Sequence, residues 1–242
     1  MRNGLGLMII VVKKSNVILI GLIFMLLAAI YSLNIGAGTV TTTGAEAQKV
    51  VVLDAGHGGE DPGKVSSYSD LKEKDLNLKI AFKVKELLEK ENYKVIMTRE
   101  DDKLVYTEGT TNIYEKRKQD LTQRKKIMDE SAAGIVVSIH LNGFPEAKYY
   151  GAQTFYPPNS DKSLKLANSL QKSLRELVDP ENKREPQEKK DPIVILRELV
   201  TPTTIVECGF LSNAEEEKKL GTDEYQAKLA GAIVDGIKNY LK

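Results

Sequence analysis

Two kinds of apolar spacing alternate along the chain, and the alternation predicts the fold. Short runs at Val50–Leu53, Lys94–Thr98, Ile135–Ile139, Ala152–Tyr156 and Thr203–Val206 are continuous and rich in β-branched residues, as buried strands are. Between them the pattern changes to that of helices. Leu76, Ile80, Val84, Leu87 and Leu88 mark one face of a helix over Glu73–Glu91, and Leu164, Ala167, Leu170, Leu174 and Leu177 mark another. Arg117–Glu130 reads as a charged helix, and Glu215–Leu220 and Tyr225–Leu241 close the chain as helices. Residues 99–116 and the charged, proline-bearing stretch 179–192 read as loops. Strands alternating with helices predict an α/β domain over residues 48–242, with a mostly parallel twisted sheet covered by helices on both faces.

The first 47 residues have a different character. Lys13 and Lys14 precede Val17–Ile35, a 19-residue run without a charge, close to the ~20 residues that span a bilayer. A small-residue pattern, Ala45-x-Ala47, follows. This segment is expected to be a signal peptide or a membrane anchor with its linker, and the preceding lysines place the remaining chain outside the cytoplasm. Over the whole chain the charge is balanced. With 35 basic and 34 acidic residues, no electrostatic pull toward nucleic acid is expected. The single cysteine, Cys208, excludes an intramolecular disulfide and a cysteine-rich metal site, and is most simply a small buried apolar residue.

The chain has two histidines, and both stand where a strand should hand over to a loop: His57 after Val50–Leu53, and His140 after Ile135–Ile139. In an open α/β sheet that edge faces the ligand crevice, and imidazole is the commonest metal ligand. Glu73 opens the first helix, and Glu207 ends the strand before Cys208. Each glutamate has a structural alternative. Asp70-x-x-Glu73 fits a capping box, and Glu207 has the choice of pairing with a lysine or capping the next turn. Taken together, two imidazoles, a carboxylate ligand and a further carboxylate match a catalytic zinc site, in which three protein ligands leave a position for water.

The ordered motifs Leu53-Asp54-x-Gly56-His57-Gly58-Gly59, Glu73-Lys74-Asp75-Leu76, Thr98-Arg99, Leu121-x-x-Arg124, Ser138-Ile139-His140-Leu141-Asn142 and Glu207-x-Gly209-Phe210-Leu211-Ser212-Asn213 resemble those of the zinc-dependent N-acetylmuramoyl-L-alanine amidases of the Amidase_3 type. The likeness covers nearly all of residues 49–242, and within the family it is similar to the sporulation amidases of endospore-forming bacteria. The resemblance implies Zn²⁺ held by His57, Glu73 and His140, with Glu207 as the catalytic base. It also implies hydrolysis of the bond between N-acetylmuramic acid and L-alanine in peptidoglycan by a zinc-bound water, in spore cortex maturation with muramic-δ-lactam formation. Two departures stand out: Ala55 where many relatives have proline, and Asp70-Leu71 where they have glycine.

Only residues 141–206 separate His140 from Glu207, too few for the occluding helical insert of some division amidases. Control is therefore expected from outside, through an envelope protein activator. Asp54, Asn142 and Arg124 are candidates for supporting the ligands or contacting substrate, with turn formation or helix pairing as alternatives. Two rival readings are a degenerate, non-catalytic wall-binding module and a zinc peptidase acting on the stem peptide.

Overall fold

The computed structural model describes residues 49–190, 193–197 and 200–242, together with residues 14, 16, 22, 23, 25 and 26. The chain divides into two units, Met1–Ala47 and Gln48–Lys242. Among the described residues no helix is long and apolar enough to cross a membrane. Most of the Val17–Ile35 run lies outside the described residues.

Gln48–Lys242 is built on six strands. They are β1 (Val50–Ala55), β2 (Lys94–Met97), β3 (Ile135–Asn142), β4 (Gln153–Tyr156), β5 (Gln187–Glu188) and β6 (Thr203–Phe210), in the spatial order β2-β1-β3-β6-β4-β5. All neighbours pair in parallel except β4, which runs antiparallel to β6. Side-chain alternation explains why the strands read as unbroken apolar runs. Val51, Leu53, Ile135, Val137, Ile139 and Val206 face one core, whereas Val52, Val136 and Ile205 face a second. Helices α1 (Glu73–Lys90), α3 (Asp161–Leu177), α4 (Ala214–Leu220) and α5 (Asp223–Leu241) supply Ile80, Val84, Leu170, Leu220 and Ile233 to the first core. On the opposite face α2 (Ile113–Glu130) brings Met128, and a 3-10 turn, Val194–Leu196, brings Ile195 and Leu196. The predicted architecture, a mostly parallel sheet covered on both faces, is the one observed.

Several boundaries differ from the pattern reading, each for a local reason. Helix α2 begins at Ile113 rather than Arg117, because Asn112 accepts the amides of Tyr114 (2.9 Å) and Glu115 (3.2 Å) as an N-cap. Helix α3 begins at Asp161, where the Ser160 side chain accepts the Ser163 amide. The stretch 179–192, read as a loop, contributes β5. Strands β3 and β6 run further than their apolar stretches, so His140 and Glu207 lie inside strands. Cys208 is fully buried, which pushes its thiol pKa up, as befits a core residue and not a nucleophile.

Candidate metal centre

Helix α1, strand β3 and the turn after β1 converge on one spot. His57, Glu73 and His140 each offer a ligand atom there, all within 4.8 Å of one another. Glu73 Oε1 lies 3.1 Å from His57 Nε2 and 3.0 Å from His140 Nδ1, and the two rings meet edge to face with centroids 5.0 Å apart. Two imidazoles and one carboxylate, converging and mostly shielded from water, form a donor set able to hold a metal ion.

The turn that carries His57 is held by its backbone carbonyls. Arg124 Nη1 donates to Ala55 O (2.6 Å) and Nη2 to His57 O (2.7 Å). Arg99 Nε donates to Ala55 O (2.8 Å) and Nη2 to Gly56 O (3.1 Å). Two arginines thus fix three successive carbonyls. His57 has φ 63°, a left-handed conformation that costs a non-glycine residue about 1–3 kcal/mol and persists only where its surroundings dictate it. Glycine is required nearby for two different reasons. A Cβ on Gly56 would lie 2.3 Å from the His140 ring, and one on Gly63 (φ +64°) would lie 2.5 Å from Glu73 Oε2.

Asp61 sets the ring of His57. Its Oδ2 lies 2.8 Å from Nδ1 and accepts that nitrogen's proton, which leaves Nε2 to face the cluster. Arg117 Nε in turn lies 3.0 Å from the same oxygen. Glu73 is fixed by amides: Lys64 N–H donates to Oε2 (2.8 Å) and Leu141 N–H to Oε1 (3.1 Å). The N-cap of α1 is Lys72, with no side-chain cap bond, so the capping-box alternative for Glu73 does not hold. Burial opposes charge on both groups. For His57, hydrogen bonds to Asp61 and Glu73 outweigh it and raise the pKa to about 9. For Glu73, the two histidines outweigh it and hold the carboxyl far below its usual range.

These shifts give a signed expectation for the metal-free protein. A histidine raised from 6.5 to about 9 contributes stability that is fully present below pH 6.5 and is lost as pH rises through 9. Metal must displace that proton, so affinity should rise over the same interval. Thermal unfolding of chelator-treated protein from pH 6 to 10, alongside a zinc titration, checks both signs. Metal-free stability that increased with pH would contradict them.

Beneath the ligands lies a buried charged group of three. Arg124 Nη1 meets Asp54 Oδ1 at 2.9 Å and Arg124 Nε meets Asp120 Oδ2 at 2.7 Å, with all three side chains almost wholly buried. Thr98 Oγ1 and Ser138 Oγ also donate to Asp54 (2.6 and 2.5 Å). Burial raises the Asp54 carboxyl, but Arg124 and these donors outweigh it and bring it to about 2. Asp54 and Arg124 are therefore scaffold for the His57 turn. Arg124→Met leaves two carboxylates buried without a cation. Its expected cost is about 3–5 kcal/mol of stability, measured by denaturant unfolding, and a loss below 1 kcal/mol would contradict the scaffold role.

Glu207 is the register partner of His140 in the parallel β3–β6 pair, next to a bulge between His140 and Asn142. Its Oε2 is buried with no hydrogen-bond partner among the described residues, and Lys189 acts on it as a nearby charge. Burial pushes its pKa up, with His140 opposing. An unsatisfied buried carboxylate oxygen beside a metal-type cluster is a group free to handle a proton.

A model of the N-acetylmuramoyl-L-alanine amidase family matches residues 51–239. The chain belongs to that family. It is an amidase, and four-fifths of it aligns with the germination-specific N-acetylmuramoyl-L-alanine amidase of Bacillus subtilis, at 38% identity over 193 residues and 80% of that protein. Among solved structures it is similar to the CwlD amidase of Clostridioides difficile, determined in complex with the GerS lipoprotein, at 45% identity and a TM-score of 0.78. That match covers 80% of this chain and 98% of that one. An N-acetylmuramoyl-L-alanine amidase of Clostridium difficile 630 is similar at 33% identity and a TM-score of 0.71, over 80% and 97% of the two chains. Ala55 and Asp70-Leu71, the two departures from the family pattern, leave the His57–Glu73–His140 cluster intact. Ala55 sits buried in β1 with its carbonyl held by both arginines. The approach through Asp70-Leu71 is fixed by Ser66 N–H to Leu71 O and Glu73 N–H to Lys64 O, both 2.9 Å.

Proposed function

We propose that residues 48–242 form a zinc amidase that hydrolyses the amide between N-acetylmuramic acid and L-alanine, with His57, Glu73 and His140 as metal ligands and Glu207 as catalytic acid and base. The observation that carries this reading is the unpartnered Glu207 Oε2 beside the converging His–Glu–His set. Zinc, when bound, supplies a Lewis acid that polarises the scissile carbonyl and lowers the pKa of water. Glu207 takes the proton of the attacking water and returns it to the departing alanine nitrogen. Its burial suits the first half of this exchange, because a carboxylate whose pKa is raised is a stronger base toward the attacking water than an ordinary glutamate. Asp61 holds the His57 ring in its ligating tautomer, and the amides of Lys64 and Leu141 hold the Glu73 carboxylate.

Likeness to the sporulation and germination amidases supports a role in spore cortex maturation, where removal of the peptide precedes muramic-δ-lactam formation. The uncharged Val17–Ile35 run, as a signal or membrane anchor, would put the domain outside the cytoplasm. The GerS complex of the C. difficile relative supports an envelope lipoprotein as activating partner. The test is mass spectrometry of muropeptides after digestion by purified protein, with and without candidate envelope proteins. Expected products are peptide-free muramic acid and peptides with a new amino-terminal L-alanine. Cleavage within the stem peptide, or binding without cleavage, would overturn the reading.

A further inference from the structure

Beside Glu207 the same sheet edge carries a second, separate pocket. Its volume is about 280 Å³, and it is lined by Lys148, Tyr149, Tyr150, Asn182, Lys183 and Arg184. Three cations and no carboxylate line it. Arg184 is the fixed member. Its guanidinium lies 4.6 Å from the centre of the Phe210 ring, Nε donates to Tyr150 O (2.6 Å), and Nη1 donates to Gln153 Oε1 (2.8 Å). Those bonds use Nε and one hydrogen of Nη1, and among the described residues Nη2 makes no hydrogen bond, while the buried Glu216 carboxylate lies near enough to feel the charge. An arginine already immobilised, with donors to spare, loses little entropy on binding a planar anion. Lys148 and Lys183 are exposed and add field without taking up those donors.

The pocket's position ties it to the reaction. Gln153, bonded to Arg184, is the register partner of Glu207 across β4 and β6, and paired strands bring Cα atoms to about 4.5–5.5 Å. Phe210, under the guanidinium, is the register partner of Asn142, two residues beyond His140. Extended peptide advances about 3.3–3.6 Å per residue, so the pocket lies about two or three residues of chain from the proposed proton-transfer group. A peptide extending beyond the scissile L-alanine would bring a carboxylate on its second or third residue into that range.

We infer that the Arg184 pocket is a subsite for a free carboxylate of the substrate peptide, making this amidase selective for peptides in which that carboxylate is unmodified. The inference rests on the amidase reading above. Three synthetic muramoyl peptides test it on the full chain loaded with zinc: one with all carboxylates free, one amidated at the second residue, and one amidated at the third. Wild type should lose roughly 10- to 100-fold in kcat/KM on one of the amidated substrates, the size of a lost charge-assisted hydrogen bond. The loss should fall on KM, because the contact is made before and during reaction alike. Arg184→Gln should lose a comparable factor on the free-carboxylate substrate and little more on the discriminated amide. Lys148→Ala with Lys183→Ala, both at exposed positions, should lose less and show weaker salt dependence than wild type. Equal kcat/KM for wild type on all three substrates would overturn the subsite and leave the amidase reading standing. Failure of wild type to release peptide from any of them would overturn the amidase reading itself.

Discussion

Glu207→Gln is expected to lower amide hydrolysis by about 10²–10⁴-fold, the usual worth of a general base, while metal content stays at the wild-type level. The substitution keeps the size of the side chain and most of its hydrogen-bonding capacity, but an amide cannot accept the proton of water. Oε2 has no hydrogen-bond partner to lose among the described residues. A general base gives the wild-type kcat/KM profile an acid limb, and that limb should vanish in the variant. Turnover near the wild-type rate with zinc bound would refute the assigned role of Glu207, even if the metal ligands were correct.

Glu73→Gln should fail in the opposite order, losing metal first and activity as a consequence. The carboxylate stands 3.0–3.1 Å from both imidazoles and brings the only negative charge among the three ligands. The amides of Lys64 and Leu141 are both aimed at its oxygens, and glutamine offers one of them an NH₂ group instead. Zinc affinity should fall by more than the roughly 10–100-fold that follows removal of a ligand's own hydrogen-bond partner. Asp61→Asn, which alters only the partner of His57, should stay within that smaller range. Excess zinc should partly restore activity to Glu73→Gln and should not restore it to Glu207→Gln. Paired metal analysis and peptide-release assays separate the two variants, and unchanged zinc affinity in Glu73→Gln would remove it from the ligand set.

Both glutamates stood out in the sequence because each adjoins a strongly patterned apolar run, as do the two histidines. The parallel sheet was legible for a related reason: Val51 and Val52, or Ile135 and Val136, are buried toward opposite cores, which leaves no polar break in the run. The antiparallel direction of β4 was not legible, since four residues carry no directional signal. Asp61, which orients His57, went unassigned although it follows that histidine by four residues; in a glycine-rich turn an aspartate is equally expected as a turn former. Arg99 and Arg124 were visible as motif residues, but their work on the carbonyls of Ala55, Gly56 and His57 is long-range and left no periodic trace. The start of α2 at Ile113 was missed because polar residues obscured its periodicity, although Asn112 was available as a capping signal.

The central claim is that His57, Glu73 and His140 together hold the zinc that the reaction uses. The most direct measurement is anomalous diffraction at the zinc edge from crystals of the protein purified without added metal or after soaking in zinc. The account predicts one strong peak bonded to those three side chains, and its absence from Glu73→Gln crystals treated alike. A peak on other residues, with His57, Glu73 and His140 still bound only to each other, would contradict it.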